Sequence, residues 1–183
     1  MINKNLCLKF YYHYKPWLIS SGSLSGQVKN FDVRQPNPLV STFDSHELEV
    51  SGLEWSPDGK FLASGGNDNI VNIWTNDVGA SGATPLRQLT DHQAGVKALS
   101  WCPWKPQVLA SGGGSACRKM MIWNCANGTK LLEVDTENQI SGIHWNQHHK
   151  PGFESKRKKN KKISVNQNAP FRIFEFCAKK GVK

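Results

Sequence analysis

Residues able to do chemistry are spread thinly along the 183 positions. His46, Ser64 and Asp68, and likewise His92 with Ser111, are the types that build a nucleophile, base and orienting acid. None of the serines stands on a glycine-flanked strand-to-helix elbow, and no Cys/His pair has a nucleophile's context. His144, His148 and His149 raise the question of a metal. Their spacing suits no closed site, and no cysteine or carboxylate completes one. Gly112-Gly113-Gly114 reads as a β-turn, not as a phosphate loop opening a helix. No catalytic residue, metal or cofactor is therefore expected, and the chain is not read as an enzyme. The five cysteines (Cys7, Cys102, Cys117, Cys125, Cys177) are odd in number and contain no Cys-x-x-Cys pair. That pattern argues against a disulfide framework and for an intracellular protein. The sequon Asn127-Gly128-Thr129 reads as a turn.

The elements that must position these residues belong to a globular chain, 38% hydrophobic and 20% charged. No apolar run reaches the roughly 18 residues of a spanning helix, and the start is too polar for a secretory leader. The net charge of +9 is unevenly placed. Residues 1–150 hold 13 Lys and Arg against 12 Asp and Glu, whereas residues 151–183 hold 10 against 2. The body thus has no electrostatic reason to bind phosphate, and nucleic acid is not an expected partner.

Internal repeats organise that body. Val50-Ser51-Gly52-Leu53-Glu54-Trp55, Val96-Lys97-Ala98-Leu99-Ser100-Trp101 and Ile140-Ser141-Gly142-Ile143-His144-Trp145 share one template, their tryptophans 46 and 44 residues apart. Leu62-Ala63-Ser64-Gly65-Gly66 running on to Trp74, and Leu109-Ala110-Ser111-Gly112-Gly113 running on to Trp123, share a second. Ile19-Ser20-Ser21-Gly22-Ser23, reaching Phe31-Asp32, is a weaker copy. Within a repeat the local signals are strand, turn, strand, turn, strand. Val50–Trp55 is followed by the turn Ser56-Pro57-Asp58-Gly59, then Lys60–Ser64, the turn Gly65–Asn69, and the period-two run Ile70–Trp74. A loop over 76–85 and an outer strand Leu86–Leu89 complete the unit. Four antiparallel strands at this repeat length predict all-β blades of a propeller. The tryptophans 55, 74, 101, 123 and 145 are read as blade core, each with a polar N–H handle.

The units resemble WD repeats. That resemblance implies a hydrogen-bonded tetrad inside a blade, matched by His46, Ser64, Asp68 and Trp74. In the next repeat His92, Ser111 and Trp123 match, but Cys117 stands where the acid belongs. A thiol accepts weakly, so that blade is expected to be weaker, by about 1–3 kcal/mol if His92 is buried and unpaired. The strings Ser64-Gly65-Gly66-Asn67-Asp68-Asn69, Thr90-Asp91-His92-Gln93-Ala94-Gly95-Val96-Lys97-Ala98-Leu99, Trp101-Cys102-Pro103-Trp104 and Phe31-Asp32-Val33-Arg34 are more specific. They resemble the Fizzy-type activators of the anaphase-promoting complex, over roughly residues 18–147. The resemblance implies a seven-bladed propeller without chemistry of its own. Such a propeller binds degron peptides, the destruction box and the KEN box, and presents their bearers to a ubiquitin ligase in the cell cycle. Asn67, Asn69, Gln93, Thr136 and Gln139 are the residues expected to line a KEN-type surface; the alternative for each is that it only satisfies turn backbone.

Seven blades need roughly 300 residues, so an incomplete ring of about three and a half blades is expected. Residues 1–17 show no C-box, the family's ligase-docking motif, and the last residues show no Ile-Arg pair. The reading therefore stays open between an adaptor that binds the anaphase-promoting complex and degron-bearing substrates, and a truncated interaction or structural fragment without ligase docking. The expected organisation is an extension over 1–17, a partial propeller over 18–147, and a basic, largely disordered tail over 148–183. Six cations within 156–162 suit a solvated linker first, then a nuclear-import signal, and least a nucleic-acid contact, giving nucleus and cytoplasm as the expected location. The alternating run Phe171–Phe176 could add an edge strand.

Overall fold

The computed structural model describes residues 11–12, 17–76, 84–145 and 173–179. Among them every regular element is a strand. The first sheet runs β1 (Tyr11–Tyr12), β2 (Leu18–Gly22), β3 (Gln27–Asp32), β4 (Leu39–Asp44). The second runs β5 (Val50–Trp55), β6 (Phe61–Gly66), β7 (Val71–Thr75), β8 (Arg87–Leu89). The third runs β9 (Val96–Trp101), β10 (Val108–Gly113), β11 (Lys119–Asn124), β12 (Thr129–Asp135). Each is an antiparallel meander in chain order, the blade predicted from the repeats. β13 (Gln139–Trp145) starts a fourth sheet and pairs antiparallel with β14 (Ile173–Lys179). The alternating run near the C-terminus thus does supply a strand, beside β13. The basic cluster at 156–162, His148, His149 and most of the loop over 76–85 lie outside the described residues.

Local chemistry sets the turns. In Ser56-Pro57-Asp58-Gly59 the Ser56 hydroxyl donates to Asp58 (2.7 Å) and accepts from the Phe61 amide (2.9 Å), while Gly59 takes φ 67°. A positive φ is strained for residues with a Cβ, so this turn needs its glycine.

Period two decides the packing. Along β6, Leu62 faces the first sheet and Ala63 the third. Along β7, Trp74 faces the first sheet, and Val71 and Ile73 the third. The core therefore lies between sheets, in three seams. Val28, Phe43, Val50, Leu53 and Trp55 surround Leu62 and Trp74 in the first seam. Val96, Leu99, Trp101, Leu109, Met121 and Trp123 fill the second, and Ala98, Val108, Ile122, Ile140 and Ile143 the third. Full burial of such side chains contributes roughly 1.5–3 kcal/mol each.

Two devices hold neighbouring sheets close. One is the first glycine of each Ser-Gly pair. A Cβ on Gly65 would lie 2.5 Å from the Val96 carbonyl oxygen, and one on Gly112 would lie 2.5 Å from the Ile140 side chain. Only glycine allows this approach. The other is the indole N–H of the first-strand tryptophan, which crosses the seam. Trp55 donates to the Ser20 hydroxyl (2.9 Å), Trp101 to the Glu54 carbonyl (2.9 Å) and Trp145 to the Ser100 carbonyl (3.0 Å).

Candidate functional site

His46 enters from the β4–β5 loop and meets Asp68, from the β6–β7 turn, through Nδ1 at 2.9 and 3.1 Å. Its Nε2 lies 2.8 Å from the Ser64 hydroxyl on β6, which also accepts the Trp74 indole N–H at 2.9 Å. The Asn72 amide nitrogen on β7 lies 3.2 Å from the same Nε2. The Trp74 N–H leaves Ser64 its own proton to donate to Nε2, so Nδ1 carries the imidazole proton and donates to Asp68. Asp68 also accepts from the amides of Glu47 and Ile70 (both 3.1 Å), which joins the two loops. Gly66 makes the space: a Cβ there would sit 2.2 Å from the Asp68 carboxylate and 2.5 Å from His46.

The bonding order Asp–His–Ser is that of a hydrolase triad, but the chemistry is closed off. His46 is 4% exposed, and Ser64 and Trp74 are sealed beside it. A nucleophile that no substrate can reach and that already accepts an indole proton is a brace. The expected tetrad is thus assembled in the second blade, with Asn72 as a fifth member. Asn72 reads in sequence as an ordinary polar residue of an alternating strand.

The third blade builds the same chain with one change. Trp123 donates to Ser111 (2.8 Å), Ser111 meets His92 Nε2 (2.7 Å), and His92 Nδ1 faces the Cys117 sulfur at 3.3 Å. His92 is buried but not unpaired: the buried thiol stands in for the carboxylate as a weak acceptor. Burial pushes the His92 imidazole from 6.5 down to about 4. In the first blade Phe31 takes the tryptophan's place opposite Ile19. On the other face of that sheet, toward the second blade, runs a separate buried polar chain: Ser20 donates to the Asn30 side-chain oxygen (2.6 Å), and the Asn30 side-chain amide donates to the Ser41 hydroxyl (2.9 Å).

The histidines of the second and third blades stand at one end of the blades, where the β4–β5, β6–β7, β8–β9, β10–β11 and β12–β13 connections emerge. Main-chain bonds zip the connections into an arc. The Asn67 amide donates to the Glu49 carbonyl (2.8 Å), Gly114 to Gly95 (3.0 Å) and Thr136 to Arg118 (3.0 Å). Gly95 packs so closely on Asn67 that a Cβ would lie 2.6 Å from its Oδ1. Salt bridges continue the arc outward, with Lys130 reaching Asp91 (2.7 Å) and Glu133 (2.6 Å), and Lys119 reaching Glu133 (2.6 Å).

The five residues expected to bind peptide all fall on this arc. Asn67 is exposed, its amide donating to Glu49 (3.1 Å). Asn69 is partly exposed and adopts φ 70°, and Gln93 is exposed. Gln139 is partly exposed at the start of β13. Thr136 is 1% exposed, and the Arg118 and Asn138 carbonyl oxygens, each 2.8 Å from its hydroxyl, share that group's single proton. It ties two loops of the arc from beneath. Arg118 (φ 54°) occupies in the third blade the place of Asn69 in the second. Among the described residues no group of three or more His, Cys, Asp and Glu is arranged to hold a metal. No helix there is long and apolar enough to cross a membrane.

Blades of this length with this tetrad define a WD-repeat protein, and the WD domain, G-beta repeat model matches residues 37–75 and 83–124. The chain is 47% identical over 133 residues to the anaphase-promoting complex subunit cdc20 of Dictyostelium discoideum, covering 72% of this chain and 26% of that protein. It is 42% identical over 144 residues to the WD repeat-containing protein slp1 of Schizosaccharomyces pombe, covering 79% and 28%. It is 44% identical over 132 residues to the APC/C activator protein CDC20 of Saccharomyces cerevisiae, covering 72% and 21%. Its fold matches a chain in the crystal structure of the mitotic checkpoint complex with a TM-score of 0.71 and 39% identity, over 76% of this chain and 43% of that one. The chain belongs to the Fizzy-type WD-repeat family, and it spans about a quarter of the length of the curated relatives it matches.

Proposed function

We propose that the arc receives short linear degrons of the KEN type, and that the chain serves as a non-enzymatic recognition element toward the anaphase-promoting complex in cell-cycle protein degradation, in nucleus and cytoplasm. The observation that carries this reading is the position of Asn67, Asn69, Gln93 and Gln139 on one zipped arc of a fold whose relatives are named as a subunit and as an activator of that complex. Carboxamide side chains offer both donors and acceptors to the Lys, Glu and Asn of such a peptide. Loops braced by buried tetrads pay little ordering entropy on binding. Thr136 contributes by holding Arg118 and the 136–139 turn in place.

Fluorescence anisotropy with a labelled KEN peptide tests the reading. Binding at about millimolar chain or better, weakened by Asn67→Ala and by Gln139→Ala and absent with the sequence scrambled, is expected. Absence of binding, or binding indifferent to both substitutions, defeats the surface.

A further inference from the structure

Of the chain's nine prolines, only Pro57 and Pro85 follow a serine or threonine. The two sites differ completely in presentation. Ser56 is 2% exposed, and its hydroxyl is held between Asp58 (2.7 Å) and the Phe61 amide (2.9 Å). Thr84 is exposed, lies outside any strand, and precedes the three-residue outer strand β8.

We propose that Thr84 is a phosphorylation site for a proline-directed protein kinase. Three features of the segment Thr84-Pro85-Leu86-Arg87 carry this. Pro85 forces Thr84 toward extended backbone, the form in which a kinase cleft takes a substrate. Pro85 also lacks an N–H, so an apolar pocket at that subsite leaves no donor unsatisfied. Arg87, exposed and three residues on, supplies a cation for an acidic group of the kinase. Arg87 is the first residue of β8, paired with Ile73, so presenting the segment opens at most the end of a short edge ladder.

The step transfers the γ-phosphoryl group of ATP to the Thr84 Oγ1. The bond between that phosphorus and the β–γ bridging oxygen breaks, ADP leaves, and the hydroxyl proton passes to the kinase's base. The product carries about −1.5 to −2 charges next to Arg87, which lies against the β11–β12 turn at Gly128. This end of the blades is opposite the arc, since β7 runs away from the β6–β7 turn. The modification therefore writes charge onto a second face of the molecule and leaves the tetrads untouched.

The full chain incubated with a cyclin-dependent kinase and radiolabelled ATP–Mg, then mapped by tandem mass spectrometry, tests the assignment. A single phosphoryl group on Thr84 is expected. It is retained in Thr84→Ser, lost to background in Thr84→Ala and Pro85→Ala, and added several-fold more slowly in Arg87→Ala, with melting temperatures unchanged. Ser56 stays unmodified until the chain is unfolded in urea. Incorporation that persists in Thr84→Ala, or a folded chain left unmodified at Thr84, overturns the proposal.

Discussion

Glu54→Gln should abolish a loss of stability that the native chain suffers above neutral pH. The Glu54 carboxyl is largely buried in the seam between β5 and β9, and burial raises it from 4.5 to about 8 despite hydrogen bonds from the Trp101 amide and the Ser100 hydroxyl. Between those values the folded chain holds a proton that the unfolded chain has lost. The resulting stability is fully present below about 4.5 and is lost as pH rises through about 8. The slope is about 1.4 kcal/mol per pH unit, on the order of 5 kcal/mol over the window. Water admitted to the seam on ionisation reduces that figure. His92 works in the opposite sense. Its depressed value means that the unfolded chain holds the extra proton between about 4 and 6.5, so its contribution is present above 6.5 and is lost as pH falls through 4. For these two groups the slopes cancel from about 4.5 to 6.5, and only the Glu54 loss remains from 6.5 to 8. Glutamine keeps the shape and the acceptor for the Trp101 amide without the charge. Urea unfolding at a series of pH values should show the native chain weakening above 6.5 and Glu54→Gln level there, the variant the more stable at about pH 8. Equal slopes above 6.5, or a variant less stable at pH 8, would refute the reasoning.

The other perturbations concern the braces and the seam. Asp68→Ala removes the acceptor of His46 and of two loop amides, and should lower stability by about 1–3 kcal/mol in urea melts. Cys117→Asp should act conversely, raising the urea midpoint and bringing the His92 titration, followed by NMR, back up from about 4. Gly65→Ala drives a methyl against the Val96 carbonyl and should cost about 1–3 kcal/mol or more, with a fall in melting temperature to match.

How far these features were legible depends on whether their cause is local. Ser56-Pro57-Asp58-Gly59 makes its turn from its own side chains, so the strand boundaries around it could be read directly. Leu62 and Ala63 alternate between seams, and period two exposes that in sequence. The His46, Ser64, Asp68 and Trp74 set was legible through its resemblance to WD repeats, because its members are up to 28 residues apart and only the fold joins them. Other features had no local sign. Asn72 looks like the solvent-facing half of an alternating strand, yet it points at His46. Glu54 looks the same, and its burial follows from β9 packing over β5. Thr136 reads as an exposed turn residue, and its hydroxyl is in fact spent beneath the Arg118 loop.

The first blade shows what the repeat requires and what it tolerates. Its second strand carries Ser20 where the later blades carry Ala63 and Ala110, opposite the same partner position in β3, β7 and β11. The indole N–H of the following blade's tryptophan still crosses the seam in all three cases, but its acceptor changes. Trp55 takes the Ser20 hydroxyl, while Trp101 and Trp145 take backbone carbonyls. The serine brings a buried hydroxyl that must itself be satisfied, and Asn30 and Ser41 continue the chain until it closes. What is invariant among the three blades is therefore the close approach at Gly22, Gly65 and Gly112 and the crossing of the indole proton. Between the first and second blades the tetrad of the second and the Ser20 chain of the first face the same seam, each satisfying its own buried polar groups. Because the arc of loops hangs from the same strands, its spacing is set by these seams, and the identity of the loop side chains is left free for recognition.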